Sequence, residues 1–129
     1  MFKWSYILLV FVGGGLGAVA RYLATTMIGA RLGSTFPFGT LAVNVAGSFL
    51  MGFLMAFAIW QHTTLPEPVR LICAVGFLGG FTTFSSFSME TMTLLFGGQI
   101  GLVLLNVAAN CLAGFAACWL GIKLAMLYS

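Results

Sequence analysis

The side chains most able to do chemistry in this chain are amides and hydroxyls placed inside long apolar runs. Thr40, Asn44 and Ser48 follow one another at a spacing of four residues, and Asn106 and Asn110 repeat that spacing. Residues four apart share one face of a helix, so each set predicts a polar stripe. Within a membrane such groups need partners or a wet cavity. The stripes indicate a polar pathway or hydrogen bonds that hold helices together, and we favour the pathway.

A second polar cluster lies at residues 79–88, where two glycines, three phenylalanines and five hydroxyl residues interrupt an apolar run. A glycine pair weakens a helix, and Ser or Thr can satisfy the backbone groups that a break releases. The centre of the run falls near Thr82, so we expect a broken helix at mid-membrane. Unwound carbonyls there would attract a hard cation such as sodium. One chain offers few carbonyls, and two antiparallel chains could complete the shell.

The phenyl rings of this cluster are the next candidates. Phe84 and Phe87 are three residues apart and project to similar sides, with Thr83 and Ser86 beside them. An aromatic ring has a negative face and a positive edge, so ring edges can face a small anion. Phenylalanine in a membrane more often only packs. Because hydroxyls and amides can donate to an anion and no acidic ring lines the cluster, we favour a path for a small anion.

The composition identifies the elements that must position these residues. The chain has 129 residues, of which 61% are hydrophobic and 5% are charged, whereas soluble domains carry about 25% charged residues. We therefore predict an all-α integral membrane protein. A helix crosses the hydrocarbon core with about 20 apolar residues. The sequence predicts one transmembrane domain, residues 1–129, with four helices at roughly 5–29, 39–60, 69–95 and 101–127.

The few charges bear on orientation. Four spans place Lys3, Arg70 and Lys123 on one side and Arg31 on the other, joined by Arg21 if that side chain reaches the interface. This is a weak bias under the rule that Lys and Arg stay cytoplasmic. A population inserted both ways and an ordinary single topology are equally compatible with it.

Four helices enclose little space, so we expect at least a dimer. No clustered basic face exists for nucleic acid.

Enzymatic chemistry is not expected from this sequence. We find no nucleophile–base pair and no metal-ligand spacing. The three cysteines, Cys73, Cys111 and Cys118, lie in apolar segments, and we interpret them as small hydrophobic residues.

Three motifs resemble those of the Fluc/CrcB family of fluoride channels. Residues 76–90 resemble the family's signature, as do the glycine-rich 13–17 with Arg21-Tyr22 and residues 39–44 with Gly47-Ser48. The resemblance covers nearly the whole chain. It implies a fluoride-selective channel in the bacterial inner membrane that lowers cytoplasmic fluoride by passive export. It also implies an antiparallel, dual-topology homodimer with two pores and a central sodium ion that is not transported.

The resemblance also implies roles for particular residues. The carbonyls of Gly79 and Thr82 would hold sodium, and the edges of Phe84 and Phe87 would contact fluoride. Asn44 would donate to fluoride, with Thr40 nearby. On the fourth helix the family often has serines, with a tyrosine one turn earlier, where this chain has Asn106 and Asn110, with Leu102. The predicted fluoride pathway comprises Asn44, Phe84, Phe87, Thr40, Thr83, Ser86, Asn106, Asn110 and Arg21.

Two other classes of function stay open at this point. A four-helix multidrug transporter that exchanges protons for a cationic drug needs a membrane-embedded carboxylate, and Glu90 is the only deep one. A non-conducting assembly protein would use the polar stripes only to hold its helices together.

Overall fold

The structure, a computed structural model, describes residues 2–60 and 64–128, and all regular structure within these ranges is helical. Helix α1 covers Trp4–Leu32 and helix α2 covers Phe38–Trp60. The third span, Glu67–Phe96, consists of α3 at residues 67–81 and α4 at Phe84–Phe96. Helix α5 covers Ile100–Leu127. Four segments of the described residues are thus long and apolar enough to cross a membrane, and the helices contain the four predicted ranges.

The ends of the helices follow from local sequence. Gly33 ends α1 with φ at 83°, and its N–H donates to the carbonyl of Gly29 over 2.9 Å. A positive φ strains residues other than glycine, which explains this position. Pro66 stands directly before α3, and proline at a helix start sacrifices no hydrogen bond. Gly98, with φ at 75°, makes the turn between α4 and α5.

Two stretches have the wider turns of a π-helix, in which each N–H bonds five residues back. They are Arg70–Leu78 in α3 and Ala109–Ala113 in α5. Such turns are rare in proteins overall, and many of those that occur lie at functional sites. The first leads directly into Gly79 and the second contains Asn110, so both adjust the rotation of the chain at predicted site residues.

Glycines allow the helices to approach closely. A Cβ atom at Gly17 of α1 would collide with the backbone carbonyl of Phe77 in α3. A Cβ atom at Gly52 of α2 would likewise collide with the carbonyl of Cys118 in α5. Small residues are the usual means of backbone contact between helices in lipid. The fold is therefore built from two tight pairs, α1 with α3 and α2 with α5.

The interior combines small and polar side chains, whereas many large apolar side chains face outward. Among the described residues the buried apolar positions are mostly alanines with a few larger residues, and four polar residues are buried with them. An apolar exterior suits lipid contact, because lipid tails are as apolar as the side chains. The buried polar residues are Thr40, Thr83, Thr91 and Asn106.

Candidate functional site

The third span loses its helical conformation at two residues. Helix α3 ends at Phe81, Thr82 and Thr83 have extended backbones with ψ at 158° and 123°, and α4 begins at Phe84. Gly79 and Gly80 remain helical. A Cβ atom at Gly80 would meet the backbone carbonyl of Gly14 at 2.5 Å, so this glycine permits close contact with α1. The interruption lies at the two threonines, not at the glycine pair, and its depth in a membrane stays a prediction.

Asn44 of α2 holds the interruption through the main chain of Thr83. The Thr83 N–H donates to Oδ1 of Asn44 over 2.8 Å, and Nδ2 of Asn44 donates to the Thr83 carbonyl over 3.1 Å. One turn along α2, Gly47 leaves room for the methyl group of Thr82, which a Cβ atom would block. Buried backbone groups require partners, and the amide of Asn44 supplies both for Thr83.

Two backbone amides are redirected at the interruption. In a continuous helix the N–H groups of Thr83 and Ser86 would bond the carbonyls of Gly79 and Thr82. Instead Thr83 donates to Asn44, and Ser86 donates to the Thr83 hydroxyl over 3.1 Å. Thr83 is thus the N-cap of α4. The carbonyls of Gly79 and Thr82 lose these helical donors, as do those of Gly80 and Phe81, because Phe84 and Ser85 start a new helix.

No cluster of metal-binding side chains accompanies these carbonyls. Within the ranges that the structure describes, no group of three His, Cys, Asp or Glu side chains could hold a metal ion. Any cation at this position would therefore depend on backbone, hydroxyl or amide oxygens.

A cavity of about 500 Å³ lies between α2, the interruption and α5. It brings together residues that are far apart in the sequence, including Asn44, Gly79 and Thr82. None of the described residues that line it has a charged side chain. The predicted site residues that line it are Asn44, Gly79, Thr82, Thr83, Phe84, Phe87 and Asn110.

The two predicted phenyl rings meet edge to face at this cavity. The ring centroids of Phe84 and Phe87 are 5.6 Å apart, and the ring planes are inclined at 63°. Phe84 is 77% exposed on the single chain, whereas Phe87 is half-buried. In such a pair the positive edge of one ring contacts the face of the other, and the edge of the second ring stays free for another contact. Both residues line the cavity.

Four predicted pathway residues lie outside the lining of this cavity. Thr40 is buried and donates to Oε1 of Glu90 over 2.7 Å. Asn106 is 1% exposed, and Ser86 and Arg21 are not among the lining residues. The pathway roles of these four residues stay predictions.

The cavity is also lined by residues outside the predicted list of pathway residues, among them Ser48 of the polar stripe on α2. Ser48 lines it one helical turn beyond Asn44, and Gly114 and Cys118 continue at a spacing of four from Asn110. The spacing of four residues, which places side chains on one helix face, could have identified these positions from the sequence. Cys111 and Cys118, which we interpreted only as small hydrophobic residues, are both in the lining.

Comparison with known proteins identifies the family. The family described as CrcB-like protein, Camphor Resistance (CrcB), matches residues 8–122. A protein of Geobacter metallireducens named Fluoride-specific ion channel FluC is 44% identical over 119 residues, covering 92% of this chain and 95% of the relative. Proteins with the same name from Geobacter sulfurreducens and Chlorobium phaeobacteroides are 46% and 42% identical, covering 92% and 98% of this chain and 95% and 98% of the relatives. The chain therefore belongs to the CrcB family.

Proposed function

We propose that this chain is a fluoride-selective channel through which fluoride leaves the cytoplasm passively. The observation that carries the proposal is the identity of 42–46%, over nearly the full length, to relatives named as fluoride-specific ion channels. Proteins that bear this name are channels, which leaves no reason to expect an enzyme. We place the protein in the bacterial inner membrane as a multi-pass protein.

The chemistry of the cavity supports a small anion as the permeating ion. Its lining contains the amide side chains of Asn44 and Asn110, which could exchange a hydrogen bond for one to an anion, and the rings of Phe84 and Phe87, and none of the described lining residues has a carboxylate to repel an anion. The described lining residues also include no Lys or Arg, whose fixed charge would bind fluoride tightly and slow its release. Amide donors compensate part of the hydration that fluoride loses on entry.

The released carbonyls of Gly79 and Thr82 fit a sodium ion that stabilises the assembly and is not transported. Both residues line the cavity, and the amides of Thr83 and Ser86 bond elsewhere. Hard cations prefer oxygen ligands, and carbonyls of unwound membrane helices coordinate sodium in transporters. A bound sodium ion would offset the electrostatic cost of grouped carbonyl dipoles inside a membrane.

An antiparallel homodimer follows from the incomplete site of one chain. In this proposal one chain supplies only two ligands, the carbonyls of Gly79 and Thr82, and Phe84 presents most of its surface outward. A twofold axis in the membrane plane would join two interruptions at mid-membrane and supply four carbonyls to one ion. The same axis would cover Phe84 and create two equivalent anion paths. Such a dimer requires chains inserted in both orientations.

Ion flux from proteoliposomes tests the proposed function. Vesicles that contain the purified chain are loaded with potassium fluoride or potassium chloride, and valinomycin provides the counter-ion path. We expect rapid fluoride release and no chloride release above that of empty vesicles. Proton-coupled uptake of an organic cation would instead support a multidrug transporter, and absence of all flux would support a non-conducting assembly protein.

A further inference from the structure

The amide side chains of α2 and α5 form one continuous chain of hydrogen bonds with a fixed direction. Asn44 Nδ2 donates to Oδ1 of Asn110 over 3.0 Å, and Asn110 Nδ2 donates to both the backbone oxygen and Oδ1 of Asn106 over 2.9 and 3.0 Å. Asn106 Nδ2 then donates to the Thr91 hydroxyl over 2.9 Å. Thr91 donates to the Phe87 carbonyl over 2.7 Å. This series of hydrogen bonds therefore begins beside the interruption and ends on α4.

Most N–H and O–H donors in this series of hydrogen bonds already have an acceptor. A side-chain amide nitrogen has two protons, and the nitrogen of Asn110 has an acceptor for each. Asn106 is 1% exposed and is absent from the lining of the cavity. An anion in the cavity would therefore meet Asn110 before Asn106. This position differs from the pathway role that the resemblance implied for Asn106.

The chain of hydrogen bonds holds α4 at two points. Asn44 binds the main chain of Thr83, which caps the start of α4, and Asn106 binds Thr91, eight residues further along. These two points are about 12 Å apart along a helix. Phe84 and Phe87 lie between them. The direction in which both rings face the cavity is thus set partly by Asn106 on α5.

We propose that Asn106 is a positioning residue for the anion path: it acts through Thr91 and Asn110 and does not touch the ion. The inference rests on the proposed function, because the property that it affects is fluoride flux. The hydrogen bond to Thr91 fixes α4, and through α4 it fixes the two phenyl rings.

Replacement of Thr91 tests the proposal without any change at Asn106. Thr91→Val keeps the shape of the side chain and removes the acceptor for Asn106. We expect fluoride flux per reconstituted dimer to fall about tenfold, because small displacements of site groups cost large factors in rate. Thr91→Ser retains the hydroxyl and should restore most of the flux.

Thr93→Val is a matched control. Thr93 lies on the same helix and donates to the Met89 carbonyl over 2.9 Å, as Thr91 donates to Phe87, but it is exposed and, within the described residues, has no hydrogen bond to an asparagine. We expect this variant to conduct like the wild type. The comparison separates the link to Asn106 from the loss of any threonine-to-carbonyl bond.

A double-mutant cycle decides between positioning and direct contact. If Asn106 acts through Thr91, the double variant Asn106→Leu/Thr91→Val should have a fluoride flux no lower than that of the single variant with the lower flux. Normal flux in Thr91→Val with a loss in Asn106→Leu would overturn the proposal, since Asn106 would then act without Thr91. A lowered melting temperature with normal flux per dimer in Thr91→Val would also overturn it. Absence of flux in the wild type would reject the proposed function itself.

Discussion

The side chain of Asn44 is fully engaged before any ion arrives. Its oxygen accepts from Thr83, and its nitrogen has acceptors in the Thr83 carbonyl and in Asn110. An anion that binds Asn44 must therefore replace one of these acceptors. Fluoride accepts hydrogen bonds more strongly than chloride does, and charge strengthens such bonds. Exchange of hydrogen bonds at Asn44 is thus a physical basis for selectivity between the two halides.

A carboxylate at this position tests the donor role of Asn44. Asn44→Asp removes both N–H donors and adds a negative charge to the cavity, so we expect fluoride flux to fall by at least about tenfold. Gln99→Glu is the control, because it makes the same change of amide to acid at an exposed residue before α5. Normal flux in Asn44→Asp would remove Asn44 from the path.

The phenyl rings are tested by an aliphatic replacement of similar polarity. Phe84→Ile and Phe87→Ile each remove a positive ring edge and leave an apolar side chain, so we expect loss of fluoride conduction with the dimer intact. Phe96→Ile is the control on the same helix, because Phe96 is 87% exposed at the end of α4. Flux and size-exclusion elution are measured for all three. Unchanged flux in both cavity variants would exclude the ring edges from conduction.

The helices show which features of the fold a sequence can reveal. Apolar length predicted four spans, and the cluster at 79–88 placed a weak point near Thr82 because hydroxyl residues can satisfy freed backbone groups. The sequence did not reveal that Gly80 serves contact with α1, or that Asn44, 39 residues before Thr83, replaces the lost helical bonds. Local propensity cannot predict such contacts, because they depend on how distant helices pack.

The tight pair of α1 and α3 makes a prediction about stability. A methyl group at Gly17 would collide with the Phe77 carbonyl, so Gly17→Ala should destabilise the protein by about 1–3 kcal/mol. Gly15→Ala is the matched control on the same helix, since nothing lies within 4 Å of a Cβ atom there. Alanine favours a helix over glycine by about 1 kcal/mol, so the control should be neutral or stabilising. Thermal unfolding in detergent measures both, and equal melting temperatures would contradict the packing described.

The protein as a whole has an apolar exterior and few charges to orient it. Arg70 forms an ion pair with Glu67, with Nη2 and Oε1 2.7 Å apart. Lys3 and Lys123 lie over the rings of Tyr6 and Trp119 at 5.0 and 5.4 Å from the ring centroids. Such residues anchor the ends of spans at an interface, and small changes in Lys and Arg can reverse a weakly biased orientation. The antiparallel dimer proposed above depends on that weak bias.

Removal of Lys or Arg charges from one side of the membrane at a time tests the antiparallel arrangement. Arg31→Gln leaves the loop charges on one side, whereas Lys3→Gln with Lys123→Gln weakens that side. We expect each variant to insert mainly one way and to conduct poorly alone, and co-expression of the two to restore fluoride flux. Accessibility of tagged termini in intact vesicles reports the orientation. Full flux from either variant in a single orientation would contradict the antiparallel dimer.

The most direct test of a passive fluoride channel is the reversal potential of its current in a planar bilayer. Fluoride and chloride gradients are set in opposite directions, so that the equilibrium potentials of the two halides have opposite signs. We predict a current that reverses at the fluoride equilibrium potential and does not depend on a proton gradient. A current that reverses at the chloride potential, or no current from correctly reconstituted protein, would contradict the central claim.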